Sequence, residues 1–209
     1  MPSEMFAADA AAEPSAPTST KIVIAGGFGV GKTTFIGAIS EIDTINSEAA
    51  MTEAAAHLDD DTGVEEKTTT TVALDFGRIT IDDDIVLYLF GTPGQDRFTF
   101  LWDELTVGAM GAVVLVDTRR IEQCYAAVEY FEQRRTRFIV AVNLFDRAPR
   151  YELDEVREAL DLSPDVPLLE CDARERTGAK RILIALIEHL MQVDDLGETA
   201  AGFSVPAQR

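Results

Sequence analysis

The sequence predicts an α/β fold in which a mostly parallel sheet is covered by helices on both faces. Two observations carry this prediction. β-branched or uniformly apolar runs alternate along the chain with segments of helical periodicity, the order that a layered parallel sheet requires. The first of these strands passes through Gly26-Gly27-Phe28-Gly29-Val30-Gly31-Lys32-Thr33 straight into the first helix. With 209 residues, 46% of them hydrophobic and 26% charged, the chain is long enough to bury one substantial core and short for two.

Each element has its own justification. Residues 1–20 are rich in Ala, Pro, Ser, Thr and Glu with almost no large apolar side chain, so burial cannot offset ordering entropy and a disordered tail is expected. Ile22-Val23-Ile24 reads as a buried strand, and Phe35, Ile36, Ile39 and Ile42 recur at helical spacing over 33–42. The acidic, alanine-rich stretch 43–67 reads as a long surface loop or a partly helical excursion. Segments 71–79 and 85–90 form a hairpin around Asp82-Asp83-Asp84. Beyond a Gly/Pro loop and the segment 98–105, strands are expected at 111–116, 138–142 and 166–169, with helices at 121–135, 151–160 and 179–191. The last of these turns Ile182, Leu183, Leu186, Ile187 and Leu190 inward. One folded domain is expected over 21–193, followed by a flexible tail over 194–209.

Composition narrows the function. A formal charge of −19 repels a phosphate backbone, so no nucleic-acid partner is expected. Cys124 and Cys171 are too few for a disulfide framework and read as buried structural thiols of a reducing compartment. No apolar run approaches the roughly 20 residues of a membrane span, and the start is acidic rather than basic. A cytoplasmic protein is expected, without direct membrane insertion. The sequence has neither a glycine after Met1 nor a cysteine near Arg209 to carry a lipid, so any membrane recruitment is expected through a partner.

The chemistry concentrates in a few short segments. Residues 26–33 satisfy G-x-x-x-x-G-K-[ST] in the strand-to-helix context its mechanism needs. Glycines let successive N–H groups turn inward around phosphates, and the helix start adds its dipole. Gly26, Gly29, Val30, Gly31, Lys32, Thr33 and Thr34 are the candidate cradle of a nucleoside triphosphate, with Lys32 bridging the β- and γ-phosphates and Thr33 ligating Mg²⁺. Asn143-Leu144-Phe145-Asp146 follows a buried strand and matches the guanine-reading N-K-x-D motif at Asn143 and Asp146, with Leu144 in place of the lysine. The Asp146 carboxylate can accept from guanine N1–H and N2–H₂ together, which adenine cannot supply. Asp172-Ala173-Arg174 resembles the S-A-K element, whose backbone amides contact guanine O6.

On these residues, the chain over about 21–191 resembles the small Ras-like GTPases, a three-layer P-loop NTPase fold. It is most similar to the bacterial MglA-like branch and to the small GTPases of actinobacterial conservon operons. The resemblance implies GTP and GDP as ligands, Mg²⁺ as the metal, and slow hydrolysis of GTP to GDP. Thr71-Val72-Ala73-Leu74-Asp75-Phe76 fits the switch I pattern T-x-x-x-D-F, which implies that Thr71 senses the γ-phosphate and joins Thr33 on the metal. Gly91-Thr92-Pro93-Gly94-Gln95 takes the place of D-x-x-G-Q. Gly94 would thereby give its N–H to the γ-phosphate, and Gln95 would orient the attacking water, with Lys32 as the second catalytic residue. The usual metal-holding aspartate is Gly91 here. No arginine directly precedes Thr71, and Arg97 is the nearest candidate for a built-in arginine finger. The conservon resemblance implies a roadblock-type protein and a sensor-kinase-like membrane protein as partners.

Three readings follow. The first is a GTP-dependent switch whose loops over 43–71 and 91–102 rearrange with nucleotide. The second is an ATP-using P-loop enzyme, favoured by Leu144. The third is a nucleotide-binding scaffold with negligible turnover, favoured by Gly91. Phe98, Phe100 and Trp102 just after switch II form either an effector surface or part of the core; apolar spacing fits both.

Overall fold

The computed structural model of the protein describes residues 17–46, 74–82, 85–94 and 100–200. Expectations placed on residues 1–16, 47–73, 83–84, 95–99 and 201–209, among them Thr71, Gln95, Arg97 and Phe98, lie outside the described residues. In chain order the elements are β1 (Thr18–Ala25), α1 (Lys32–Ile39), β2 (Ile45–Asn46), β3 (Asp75–Asp82), β4 (Ile85–Gly91), α2 (Phe100–Thr106), β5 (Ala109–Val116), a 3₁₀ segment (Thr118–Cys124), α3 (Tyr125–Gln133), β6 (Phe138–Asn143), α4 (Leu153–Ala159), β7 (Leu168–Cys171) and α5 (Arg176–Ala200).

Seven strands form one sheet in the order β2-β3-β4-β1-β5-β6-β7. β2 and β3 pair antiparallel, as do β3 and β4; every other pairing is parallel. The parallel strands are apolar on both faces because both are covered. Ile22 and Ile24 of β1 face a core shared with Phe35 and Ile36 of α1 and Ile182 and Leu186 of α5. Val23 and Ala25 face the opposite core with Trp102 of α2, Phe131 of α3 and Val156 of α4. Phe35 and Phe131 are both fully buried, one in each core, and burial of such a ring stabilises by about 2–3 kcal/mol. The expected α/β layering is therefore present. Cys124 and Cys171 are free and buried.

Several boundaries differ from expectation. β1 starts at Thr18, inside the expected tail, because Thr18, Ser19 and Thr20 pair with Ile85, Val86 and Leu87. The expected helix over 121–135 is split: Asp117 accepts from the Arg119 amide and Arg120 is non-helical, so a 3₁₀ segment precedes α3. β7 begins two residues late, after Pro167, which has no N–H to give to a ladder. α5 runs to Ala200, into the expected tail. The apolar stripe that marked it ends near Leu190, but a helix needs no apolar face to continue its backbone hydrogen bonds.

Candidate functional site

Parallel pairing brings the carboxyl ends of β1, β4, β5, β6 and β7 to one edge of the sheet, and β3, running the other way, brings its first residue there. Ligands of open α/β sheets bind at this edge. The loop after β1 turns on Gly26, Gly29 and Gly31, all with positive φ. Side chains are excluded as well: a Cβ at Gly26 would lie 2.5 Å from the Leu115 carbonyl oxygen, and one at Gly31 2.6 Å from Asn143 Nδ2. α1 follows with no side-chain cap and no acidic residue in its first turn, so its leading N–H groups have no carboxylate competing for them. Lys32 folds back, its Nζ donating to the carbonyl oxygens of Gly26 and Gly27 at 2.8 Å each. It is only 8% exposed, and burial pushes its pKa down to about 8 against the opposing pull of Asp75.

Asp75 is a site residue that motif reading leaves without a role. The Thr33 hydroxyl donates to Asp75 Oδ2 at 2.7 Å. A Cβ at Gly91 would lie 3.0 Å from Asp75 Cβ and 3.1 Å from Asp75 Oδ2. The carboxylate of β3 therefore fills the space beside Thr33 that a side chain at 91 would enter. These are hard oxygen donors of the kind Mg²⁺ takes, one or two from protein with water and phosphate completing the shell, so the residues fit the metal the motif implies. Among the described residues no group of three or more His, Cys, Asp or Glu could hold a metal ion.

Beyond Gly91, the Thr92 amide donates to the Ile24 carbonyl at 2.9 Å, while its buried hydroxyl has no partner among the described residues. Gly94 lies against the cradle, where a Cβ would come within 2.7 Å of Lys32 Nζ and 2.8 Å of the Phe28 amide nitrogen. A phosphate between Lys32 and Gly94 needs this segment to withdraw. Trp102 holds it from behind, its indole N–H donating to the Pro93 carbonyl at 3.3 Å. Trp102 is buried and meets Tyr130 edge-on at 5.2 Å, so of the three aromatics this one is core; Phe100 is 64% exposed.

At the other end of the site, Asn143 is a buried tie. Its Nδ2 donates to the Val30 carbonyl at 2.9 Å and its Oδ1 accepts from the Ala173 amide at 3.0 Å, joining the cradle to the loop after β7. Asp146 and Asp172 share Arg174: Nη1 and Nη2 donate to the two oxygens of Asp146 at 2.9 and 3.2 Å, and Nε and Nη2 donate to Asp172. Hydrogen bonding to Arg174 holds the Asp146 carboxyl below the usual range and takes Asp172 down to about 2. The Arg174 amide donates to Asp172 Oδ1, so the Ala173 and Arg174 amides of the S-A-K-like element already have protein acceptors. Gly31, Thr34, Arg119, Asn143, Phe145, Asp146 and Ala173 line a cavity of about 310 Å³ between the cradle and this loop.

The model of the family described as "conserved hypothetical ATP binding protein" matches residues 24–193. The chain belongs to that family. An uncharacterised protein of Methanocaldococcus jannaschii is 28% identical to it over 103 residues, 48% of this chain and 66% of that protein. The Ras-related protein SEC4 of Saccharomyces cerevisiae is 24% identical over 135 residues, 60% of this chain and 63% of its own length. The chain thus spans just under two thirds of these relatives. Among solved structures, the FeoB G-domain of Methanococcus jannaschii superposes with a TM-score of 0.55 at 14% identity, over 83% of this chain and 98% of that one. The G domain of the T. maritima FeoB iron transporter gives 0.56 at 19%, over 82% and 99%. At these identities the likeness establishes the fold, which is that of a Ras-like G domain of the P-loop class.

In this family member the structure brings Lys32, Thr33, Gly94 and the cradle glycines together at one end of the site and Asn143, Asp146, Asp172, Ala173 and Arg174 at the other. Two arginines that the motifs do not mark join them. Arg119, held by Asp117, stacks its guanidinium over the Phe145 ring at 3.9 Å. Arg120 reaches the cradle, donating to the Phe28 carbonyl at 3.2 Å. Asp117, the buried carboxylate at the end of β5 that organises both, is the sequence signal for them.

Proposed function

We propose that the chain is a guanine-nucleotide switch that binds GTP and GDP with Mg²⁺ and hydrolyses GTP slowly. The observation that supports it best is the 310 Å³ cavity, lined on one side by the helix start behind the phosphate cradle and on the other by Asn143 and Asp146. Phosphates rest on the amides of 26–33 and on Lys32, and Asp146 reads the base. Thr33 and Thr71 hold Mg²⁺, and Asp75 takes over the supporting carboxylate that Gly91 lacks. When bound, Mg²⁺ neutralises charge developing on the phosphate oxygens. Gln95 orients a water for attack on the γ-phosphorus; the bond to the β-phosphate oxygen breaks, and GDP and phosphate leave. With no arginine directly before Thr71 to act in cis, the step is slow, since such a residue supplies roughly 10³ to 10⁵ in rate. By the same resemblance, the finer assignment is to the MglA-like, conservon-type branch, with a roadblock-type and a sensor-kinase-like partner.

A second reading, ATP as the nucleotide, is favoured by the family's description, by Leu144 in the lysine's place and by the engagement of Asp146 with Arg174. The test is competition of GTP, GDP and ATP against a fluorescent guanine nucleotide, in the native chain and in Asp146→Asn. Displacement by GTP and GDP alone, with selectivity lost in the variant, supports the switch. Equal displacement by ATP overturns the guanine assignment.

A further inference from the structure

We infer that Arg174 is a specificity-determining residue, an internal competitor that latches the base-reading carboxylate until a guanine displaces it; the inference rests on Asp146 as the base reader. A guanidinium fork and the N1–H/N2–H₂ edge of guanine present the same chemistry, two parallel N–H donors for one carboxylate. Arg174 uses that geometry on both oxygens of Asp146, at 2.9 and 3.2 Å. It is held in position from behind by Asp172, which accepts from Nε at 2.9 Å and from Nη2 at 2.6 Å.

The latch is built to open. Asp146 is 77% exposed and Arg174 56%, whereas Asp172 is 20%, so the contact with Asp146 is the weaker and more screened of the two. When guanine arrives, Arg174 leaves Asp146 and keeps Asp172, and its charge still balances the pair of carboxylates. Adenine has no two-donor edge to exchange for the fork, so it leaves the latch shut and gains nothing from Asp146. The device lowers guanine affinity and hastens release without favouring adenine, which suits a protein that must exchange its nucleotide.

The experiment measures GDP, IDP and ADP affinities and GDP release in the native protein and in Arg174→Ala, Arg174→Lys and Asp146→Asn. Loss of a cation from the site weakens every anionic nucleotide alike, so the readout is the GDP-to-ADP ratio. In Arg174→Ala that ratio rises roughly two- to tenfold, as an exposed bidentate pair allows. In Arg174→Lys, which keeps the charge without the fork, it rises through tighter GDP binding while ADP affinity is preserved. IDP, lacking the N2 amine, gains less than GDP. A ratio that is unchanged or falls in both Arg174 variants overturns the latch while leaving Asp146 as reader. If Asp146→Asn leaves the native ratio unchanged, the underlying base assignment fails instead.

Discussion

Across β3 and β4 a carboxylate faces a residue with no side chain, and the pairing explains both. Phe76 lies opposite Phe90, which places Asp75 beside Gly91, and the 3.0 Å approach of a Cβ at 91 leaves room for one acid only. The acid delivered from the neighbouring strand reaches the Thr33 hydroxyl. Asp75→Asn keeps the shape and removes the charge; it is expected to raise the Mg²⁺ concentration needed to slow nucleotide release by about 10–100-fold, the usual effect of losing a supporting carboxylate. A Mg²⁺ midpoint unmoved by the substitution would exclude Asp75 from the metal site. Asn143 makes a different forecast. Asn143→Ala leaves the Val30 carbonyl and the Ala173 amide without their side-chain partner, at about 2 kcal/mol, or roughly 4–8 °C in Tm for a chain of this size. A variant that melts like the native protein while losing nucleotide would make Asn143 a ligand contact rather than a tie. Motif matching made Asp146 and Arg174 candidates for one site. It could not show that they bind each other, because that contact is set by the register of β6 against β7.

Between strands and loops, legibility followed the range of the interactions. The buried stretches of β1, β5 and β6 were readable because strand segments covered on both faces are apolar at nearly every position. The hairpin of β3 and β4 was readable from its local turn residues. The break before α3 was not, since it comes from a side chain, Asp117, competing for the amide of Arg119. Nor could spacing place Trp102, whose burial depends on Tyr130, far along the chain in α3, and on the Pro93 carbonyl. That last contact yields a measurable consequence. Trp102 is the only tryptophan in the chain, and its indole N–H is bonded to the segment that lies against Lys32, which under the proposed function withdraws when a phosphate enters. Adding nucleotide is expected to shift its emission, with the triphosphate giving a larger change than the diphosphate. Identical spectra in both states would mean that the 92–94 segment stays in place.

For the molecule as a whole, strand order decides which residues can cooperate. The glycine loop 26–33, Asp75 and the loops 143–146 and 172–174 are far apart in the chain, yet all lie at one edge because five strands end there in parallel. No helix among the described residues is long and apolar enough to cross a membrane. The two thiols lie in opposite cores of the sheet, Cys171 with α1 and α5 and Cys124 with α3 and α4, and burial pushes each up to about 12. Thiolate is the reactive form, so at neutral pH the folded protein is expected to resist maleimide, whereas denaturant exposes two equivalents; rapid modification of the folded chain would contradict the burial. This silence makes the native protein a ready-made background for spectroscopy. A single cysteine placed at an exposed position such as Met191, 65% exposed, would accept a dye or spin label alone, and α5 could be followed without first removing either natural thiol.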